Sequence, residues 1–294
     1  MSQNDLKKYT KKQLSRNYNN IIVSDGFVFA KGDFPVLLVA HLDTVHRKLP
    51  KKIIYDKHDN TISSPSGIGG DDRCGIYAVL EIVKQYNCSV LFTEDEEIGG
   101  IGADKFADSE ICKSFDCNYI IELDRRGKND AVFYEDDNTD FHKFVCKEFF
   151  RESYGTFSDI SIIAPVMGRS AVNLSCGYYN AHTHDEYIKL DDLQNAINAV
   201  CALLVRSVDT VYHYVQKPIT RYSYYDDYGS YSLYGDYDYT DTKQSVKEDE
   251  YIFTYEKHGI IETETLYANS YYEAVGIFCE WHDDIPYKNI IEIA

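Results

Sequence analysis

The sequence predicts an α/β fold: one three-layer αβα domain with a mostly parallel mixed sheet, followed by a small C-terminal α+β module. Short, wholly apolar runs such as V-L-L-V-A (36–40) and S-V-L-F-T (89–93) are typical of parallel strands buried on both faces. Amphipathic segments such as 72–86 alternate with these runs and predict the covering helices. The composition changes after about residue 215, which predicts the boundary of the main domain.

Turn signals and apolar periodicity give the order of the elements in the main domain, residues 1–215. From the N-terminus they are a basic surface helix (4–17), a hairpin around Asp25-Gly26 (21–30), a core strand (36–40), a second hairpin (52–64), an amphipathic helix (72–86), a core strand (89–93), a helix (102–115), a core strand (118–123), an edge strand (130–134), an amphipathic helix (140–151), a core strand (171–175) and a closing helix (191–208). The closing helix has acids at its start and apolar residues at helical spacing, which indicates where it begins.

The C-terminal part of the chain divides into two segments. Residues 216–247 are rich in Tyr, Asp, Gly and Ser, which predicts a low-complexity linker. Residues 248–294 regain apolar patterns and predict a ββαβ module. Its elements are expected at 251–256, 260–265, a short helix after Asn269-Ser270, and 289–293. A module of this size is marginal alone, so we expect self-association or partner binding through it.

The composition also argues against several classes of function. A formal net charge of -18 disfavours binding to nucleic acid and to anionic membranes, which both require a basic surface. The eight cysteines show no C-x-x-C spacing and are typical of reduced, buried thiols. The sequence has neither the pattern of a signal peptide nor an apolar stretch of membrane-spanning length. We therefore expect a cytoplasmic protein.

Side chains that commonly bind metals lie in short motifs, most of them at the ends of predicted core strands. They are His41 and Asp43 in H-L-D, Asp71 in G-G-D-D, Glu96 and Glu97 in E-D-E-E, Asp124 in I-E-L-D, and His182 in N-A-H-T-H. The first four motifs are separated by about 30 residues each, the length of one strand-helix unit. The ends of parallel strands lie side by side, so these residues can converge on one site. Two imidazoles and several carboxylates suit two divalent ions, with Zn²⁺ preferred and Mn²⁺ or Co²⁺ as alternatives.

Two neighbouring metals need one shared ligand and private ligands for each ion. A carboxylate suits the shared role, and we assign Asp71 to it. His41 and Asp124 then belong to one metal. Glu97 and His182 belong to the other.

Two further acids are expected to assist the ligands. Asp43 lies two residues after His41 on an extended segment, so it can accept the second imidazole N–H and fix the tautomer. Glu96 is adjacent to Glu97, and two adjacent residues do not easily bind the same metal pair. We therefore assign Glu96 as the general base.

These motifs resemble those of the di-zinc exopeptidase superfamily, which includes tripeptidases, aminoacylases, carboxypeptidases of the G type and single-domain zinc aminopeptidases. The family pattern is H-x-D, an Asp pair, E-E, Asp, and a His shortly before Glu. Here these are His41/Asp43, Asp71/Asp72, Glu96/Glu97, Asp124, and His182 with Glu186. The resemblance covers roughly residues 36–190. It implies a zinc-exopeptidase-like fold, a cis Asp71–Asp72 peptide, Asp71 bridging two zincs, Glu97 as ligand, and Glu96 activating a zinc-bridging water.

The short interval between Asp124 and His182 separates this chain from many members of that family. They insert a lid or dimerisation domain at this place, and the interval leaves no room for one. The chain therefore resembles the lidless, aminopeptidase-like branch.

The predicted activity is metal-dependent hydrolysis of an amide bond in a peptide or N-acyl amino acid, with an exopeptidase of aminopeptidase type preferred. An N-acyl-amino-acid or small-amide hydrolase and a carboxypeptidase would use the same site residues. The alternative from another class is a non-catalytic binding or assembly protein that keeps the fold. Asp159, Arg169 and His184 are candidates for contacts with substrate. A turn position, a surface arginine and an exposed histidine are the respective structural alternatives.

Overall fold

The computed structural model describes residues 1–46, 48–206, 209–217, 249–257, 260–268, 278, 282 and 290–293. The chain divides into two units, Met1–Pro218 and Ile219–Ala294. The predicted linker from residue 218 onward, the turn at Gly259 and the short helix after Asn269-Ser270 lie outside the described residues.

The first unit alternates helices and strands. The helices α1 to α7 span Gln3–Leu14, Gly70–Ile82, Ile101–Ala107, Glu110–Ser114, Thr139–Val145, Asp159–Met167 and Leu190–Arg206. The strands β1 to β12 span Ile21–Val23, Phe27–Ala30, Phe34–His41, Ile54–Asp56, Thr61–Ser63, Cys88–Thr93, Tyr119–Arg125, Asp130–Val132, Arg151–Glu152, Ala171–Ser175, Tyr178–Tyr179 and Tyr187–Lys189.

Eight of these strands form one mixed sheet in the order β1-β2-β6-β3-β7-β10-β8-β9, and β11-β12-β5-β4 form a smaller antiparallel sheet. The central strands β6, β3, β7 and β10 run parallel, and β2 and β8 flank them in the antiparallel direction. Val39 pairs with Glu122 and His41 pairs with Thr93. The carboxyl-terminal ends of β3, β6 and β7 therefore lie side by side, at one edge of the sheet that runs across the strands.

The sheet lies between two layers of helices, because the core strands are apolar on both faces. In β3, Val36, Leu38 and Ala40 belong to one hydrophobic core, with side chains of α1, α2, α5 and α7. Leu37 and Val39 point to the opposite face and join a second core with side chains of α3, α4 and α6. Each fully buried Val or Leu side chain among these contributes about 1.5–3 kcal/mol to folding. The predicted three-layer α/β fold is thus confirmed.

Most differences from the predicted elements have a local cause. The predicted helix at 102–115 is two helices, because the Ser109 hydroxyl accepts the backbone N–H of Cys112 and starts α4 anew. The predicted edge strand, β8, is not at the edge, since it pairs with β9 as well as with β10. The helix predicted at 140–151 ends at Val145. The sequence patterns do not predict helix α6.

In the second unit, β13 (Asp249–Lys257), β14 (Ile260–Ala268) and β15 (Ile290–Ile293) form an antiparallel sheet in the order β14-β13-β15. The rings of Phe253 and Tyr255 pack on Phe278, with centroids 4.4 and 4.9 Å away. The three predicted strands of this segment are confirmed. Among the described helices of the chain, none combines the length and the apolar character needed to cross a membrane.

Candidate metal centre

The sheet topology brings the predicted metal ligands to one edge of the large sheet. His41 is the last residue of β3, and Asp124 lies near the end of the adjacent strand β7. Glu97 lies in the turn after β6, and Asp71 lies in the first turn of α2. His182 comes from the loop between β11 and β12.

These five side chains form two triads that share one carboxylate. On one side, His41 Nε2 lies 3.0 Å from Asp71 Oδ1 and 3.2 Å from Asp124 Oδ1. On the other side, His182 Nε2 lies 3.1 Å from Asp71 Oδ2 and 3.1 Å from Glu97 Oε2. Asp71 therefore presents one oxygen to each triad, which is the arrangement expected of a bridging ligand.

Asp43 organises both the histidine and the turn that carries the two glutamates. Its Oδ1 atom lies 3.1 Å from His41 Nδ1. The same carboxylate accepts the backbone N–H groups of Glu96 and Glu97, at 3.1 and 3.0 Å. With Nδ1 as the donor to Asp43, Nε2 of His41 keeps its lone pair for a metal.

The residue after the bridge, Asp72, is fully buried and supports the local backbone. It accepts the backbone N–H of His41 at 3.1 Å and that of Gly75 at 2.7 Å. The second bond caps the regular part of α2, because Asp71 and Asp72 themselves have non-helical backbone conformations. The Asp71–Asp72 peptide is cis, as the resemblance implied.

Glu186 holds the glycine-rich loop that leads to Asp71. Its side chain is fully buried and accepts the backbone N–H groups of Gly69 at 2.6 Å and Asp71 at 3.1 Å. Its Oε2 atom also lies 2.8 Å from His46 Nε2. One carboxylate therefore fixes the position of the bridge through its main chain.

Asp124 is held by three polar residues. Asn173 Oδ1 accepts the backbone N–H of Asp124 at 3.0 Å, and the Tyr178 hydroxyl donates to its carbonyl oxygen at 3.1 Å. The Ser158 hydroxyl lies 3.2 Å from Asp124 Oδ2 and also contacts the buried Glu122. The ligand is thus fixed by bonds at both its main chain and its side chain.

The acidic surroundings change the pKa values of both histidines. Burial alone would lower the pKa of His41, but Asp124, Asp43 and Asp71 together raise it well above its usual range. Burial also opposes the charged form of His182, yet its contacts with Asp71 and Glu97 raise its pKa to about 11. Without metal, each imidazole holds a proton where a cation would bind.

The carboxyl groups have divergent pKa values. Burial, reinforced by neighbouring acids, raises the pKa of Glu96 to about 10 and that of Asp124 to about 7. Burial also raises the pKa of Asp71, but its bonds to His182 and His41 outweigh this and bring the pKa well below the usual range. Asp71 is therefore the carboxyl that stays ionised between the two triads.

The residues fit a divalent cation. Ligand atoms of His41, Asp71 and Glu97 lie within 4.8 Å of one another, and so do those of His41, Asp72 and Asp124. Glu97 Oε1 is buried and has no hydrogen-bond partner. A buried carboxylate oxygen without a donor is costly, and a cation would satisfy it. Nitrogen and carboxylate donors suit Zn²⁺, and they also accept Mn²⁺ or Co²⁺.

The three candidates for substrate contact differ in position. Asp159 is fully buried at the start of α6, where it is bonded to Thr93 and leaves Oδ1 without a partner. His184 is exposed in the loop that carries His182. Arg169 is not brought to the centre. Its guanidinium contacts Asp116 and the carbonyl oxygen of Cys117, which both precede β7. Asp124 lies near the other end of β7, roughly 20 Å away along the strand.

Among the residues of the centre that were not predicted from the sequence, two lie inside core strands. They are Glu122 and Asn173, and each is buried beside the hydroxyl of Ser158. A polar residue within an otherwise apolar strand was the signal that could have identified them.

No protein-family model matches the sequence, and no curated protein matches it. Solved structures do match. Aminopeptidase PepT from Bacillus cereus is 14% identical with a TM-score of 0.55, and the match covers 67% of this chain and 91% of that one. A tripeptidase from Staphylococcus aureus is 13% identical with a TM-score of 0.54, covering 68% and 91%. The TET1 peptidase of Pyrococcus horikoshii is 14% identical with a TM-score of 0.51, covering 69% and 94%.

Similarity at this level of identity concerns the fold alone. The chain shares its α/β fold with these peptidase structures, as the predicted fold class requires.

Proposed function

We propose that this chain is a metal-dependent hydrolase of peptide bonds, an exopeptidase of aminopeptidase type. The observation that carries the proposal is the shared position of Asp71, whose two oxygens face two separate triads. His41 and Asp124 would hold one cation, and Glu97 and His182 would hold the other. The fold it shares with aminopeptidase PepT and a tripeptidase supports the same class of reaction.

Two cations at this site would supply Lewis acidity, which activates water and neutralises the negative charge that develops on a carbonyl oxygen. The protein's own contribution begins with Asp43, which orients the His41 ring through Nδ1. Asn173 and Tyr178 hold the main chain of Asp124 in place. Few of these groups need to rearrange during the reaction, which is the condition for electrostatic stabilisation of a transition state.

Glu96 is proposed to transfer the proton. Its carboxylate oxygen takes a proton from the attacking water and then gives it to the nitrogen of the leaving amine. Burial raises the pKa of Glu96 to about 10 in the bare cluster, where two histidines and several acids surround it. Without metal the buried carboxyl would therefore hold its proton at neutral pH. Two nearby cations would lower its pKa and leave a carboxylate that can accept the proton.

The preference for an aminopeptidase depends on what lies between Asp124 and His182. The elements of this interval join the large sheet, the small sheet or the helical layers, and all of its residues are described. No inserted lid domain occurs there. Substrate would therefore reach the metals from an open edge, and its ends would be recognised by the centre itself.

Glu96→Gln tests the assignment. Glutamine has the size of glutamate but cannot accept a proton at neutral pH. We expect the variant to keep its metals and to lose at least about two to four orders of magnitude in kcat, the usual contribution of a general base. Metal content is measured by elemental analysis, and turnover with a panel of aminoacyl-anilides and N-acyl amino acids.

Glu110→Gln is the matched control, because Glu110 lies exposed on α4, where it forms an ion pair with Lys113. It should retain wild-type turnover. Turnover of Glu96→Gln near the wild-type rate would reject Glu96 as the base. Purified protein that holds no transition metal and gains none on incubation would reject the metal centre. Cleavage of N-acyl amino acids but not aminoacyl-anilides would favour the amide-hydrolase alternative.

A further inference from the structure

The segment that carries Glu96 and Glu97 is a short turn, residues 94–100, which we call the catalytic turn. Its backbone is unusual. Asp95 has φ of 61°, and Gly99 and Gly100 have φ of 108° and 71°. Such left-handed conformations persist when the surroundings hold them, above all at a residue other than glycine. The position of both glutamates therefore depends on what holds this turn.

One support comes from the metal side. Asp43 accepts the backbone N–H groups of Glu96 and Glu97. A second support comes from elements that contribute no ligand, namely α1 and the hairpin of β1 and β2. It acts at the first two residues of the turn, Glu94 and Asp95.

Glu94 is the main contact of this second support. Its side chain is 10% exposed, and its Oε2 atom accepts the backbone N–H of Gly26, in the hairpin turn, at 3.0 Å. The same oxygen is bonded to the ammonium of Lys7 on α1. The backbone of Glu94 adds two bonds, from its own N–H to Gly26 and from Gly102 to its carbonyl oxygen, each 2.8 Å long.

Lys7 connects three elements at this point. Its side chain is 14% exposed, and it donates to the carbonyl oxygen of Ser24 at 2.6 Å as well as to Glu94. One turn earlier on α1, the amide of Gln3 donates to Asp95 Oδ1 at 3.0 Å. Both residues on the same face of α1 therefore contact the start of the catalytic turn.

The charges explain why a lysine is placed here. The turn begins with four consecutive acids, E-D-E-E. Without the ammonium of Lys7, the partly buried carboxylate of Glu94 would carry an uncompensated charge. The catalytic turn would then move toward solvent, where water hydrates that charge. The ammonium of Lys7 removes that tendency at Glu94, two residues before the proposed base.

We propose that Lys7 is a positioning residue, which acts through Glu94 to hold the catalytic turn in the conformation that the centre needs. Helix α1 then supports the active site through Lys7, although it contributes no ligand. The catalytic consequence rests on the proposed function. The effect on the order of the turn does not.

Hydrogen exchange of the full chain tests the structural part of the proposal. Lys7→Met removes the charge and keeps most of the aliphatic stem. We expect amides of residues 96–102 to exchange about tenfold faster or more, the effect of losing one hydrogen bond between charged groups. Amides in β3 and β7 should exchange at wild-type rates. Lys7→Arg should restore slow exchange in the turn, since it returns the positive charge.

Lys8→Met is the matched control, because Lys8 is the next residue on α1 and is exposed. Its exchange should equal that of the wild type throughout. Wild-type exchange of residues 96–102 in Lys7→Met would overturn the proposal. So would a uniform rise that includes β3 and β7, because it would indicate a loss of global stability.

Kinetics test the catalytic part. In Lys7→Met we expect kcat to fall about tenfold while KM stays within about twofold, with the metal content unchanged. Lys7→Arg should recover most of the loss, and Lys8→Met should behave as the wild type. An unchanged kcat together with faster exchange would overturn the catalytic consequence. A wild-type chain that cleaves none of the substrates would reject the proposed function, whereas the exchange measurement would still decide the role of Lys7.

Discussion

Asp43 bonds to three groups at once, and this links the two halves of the centre at the scale of a single residue. One of its oxygens faces His41 Nδ1 and the backbone N–H of Glu96, and the other accepts the N–H of Glu97. The bond to His41 selects the tautomer that can bind a metal. The bonds to the glutamates place a ligand and the proposed base. A change at Asp43 should therefore disturb metal binding and proton transfer together.

Asp43→Asn tests this coupling. The amide keeps one acceptor oxygen, but its NH₂ group then faces an N–H donor, so at least one of the three bonds is lost. We expect metal affinity to fall about 10- to 100-fold, as for other residues that orient metal ligands. Competition with a chelator measures the change. Asp59→Asn, at an exposed turn, is the control and should bind metal like the wild type. Equal affinities of the two variants would contradict the role given to Asp43.

The five metal-ligand candidates were predicted from the sequence because each stands in a motif that chemistry alone makes conspicuous. His41, for example, is a histidine directly after an apolar strand with an aspartate two residues further on. Asn173 was not predicted, because its task exists only through the pairing of β10 with β7. Nothing local in A-V-N-L-S indicates that this amide accepts the N–H of Asp124. Arg169 shows the reverse case, since its sequence position near Asp159 gave no sign that α6 separates the two residues.

At the scale of elements, the loop before α2 shows how a bridging ligand is placed. Gly67, Gly69 and Gly70 make the loop easy to deform, and Gly67 and Gly69 have φ of 79° and 69°. Any side chain at Gly67 would collide with the ring of His46. The buried carboxylate of Glu186 holds this permissive segment through Gly69 and Asp71. Glu186 itself lies in the loop just before β12. Asp71 is therefore held in place only when this loop packs against the loop before α2.

Glu186→Gln tests that dependence. The side-chain NH₂ group of the glutamine would face an N–H group that now donates to Glu186. That buried N–H would lose its partner, at a cost of about 1–3 kcal/mol. Because Asp71 serves both triads, we expect both metals to bind more weakly. Thermal unfolding and elemental analysis measure the two effects. Glu110→Gln, at an exposed position of α4, should leave both unchanged. Wild-type metal occupancy in Glu186→Gln would show that the loop holds its shape without this carboxylate.

The elements that were predicted correctly are those with strong intrinsic signals. The core strands β3, β6, β7 and β10 are short apolar runs, and no helix of the same length would bury both of its faces as well. Helix α6 was missed because D-I-S-I-I-A-P-V-M has neither a polar face nor a conventional interior, with Pro165 inside it. Its helix signals are confined to its ends, with Ser158 before the first turn and the left-handed Gly168 after the last, and it packs against β10 and α3. Small β9 and β11 likewise exist only through their partners.

At the scale of the whole molecule, the chain divides at Pro218, and the sequence predicts the end of the main domain at residue 215. The strands of the second unit bury Phe253 and Leu266 but leave Ile260 and Ile261 exposed. Ile260 and Ile261 are consecutive in β14 and therefore point to opposite faces of the sheet. The sequence predicts self-association or partner binding through residues 248–294. That role stays a prediction, and analytical ultracentrifugation of the full chain at several concentrations would test it.

The acidic centre also connects the stability of the first unit to pH and to metal. Folding without metal collects several acids in one buried place, and the pKa values respond. Those of Glu96 and Asp124 rise to about 10 and 7, and that of His182 rises to about 11. Each raised pKa means that the folded protein binds a proton more tightly than the unfolded chain does. The stability that such a group contributes is present below its unfolded pKa and is lost as the pH rises through its folded pKa.

Metal-free protein should therefore become less stable as the pH rises from 6 to 9, by up to about 1.4 kcal/mol per pH unit for each extra proton held by a buried carboxyl. His182 adds less, because 43% of its side chain is exposed and solvent screens its charge. The lowered pKa of Asp71 acts only at pH values below about 4, so it does not oppose this trend. Bound Zn²⁺ should flatten the decline, because cations replace those protons and bind better as protons leave. Urea unfolding in a chelator and in Zn²⁺ measures both curves. Glu96→Gln removes one titrating carboxyl, so its metal-free curve should fall less steeply than that of the wild type. A metal-free protein that gains stability across this range would contradict the proton inventory of the centre.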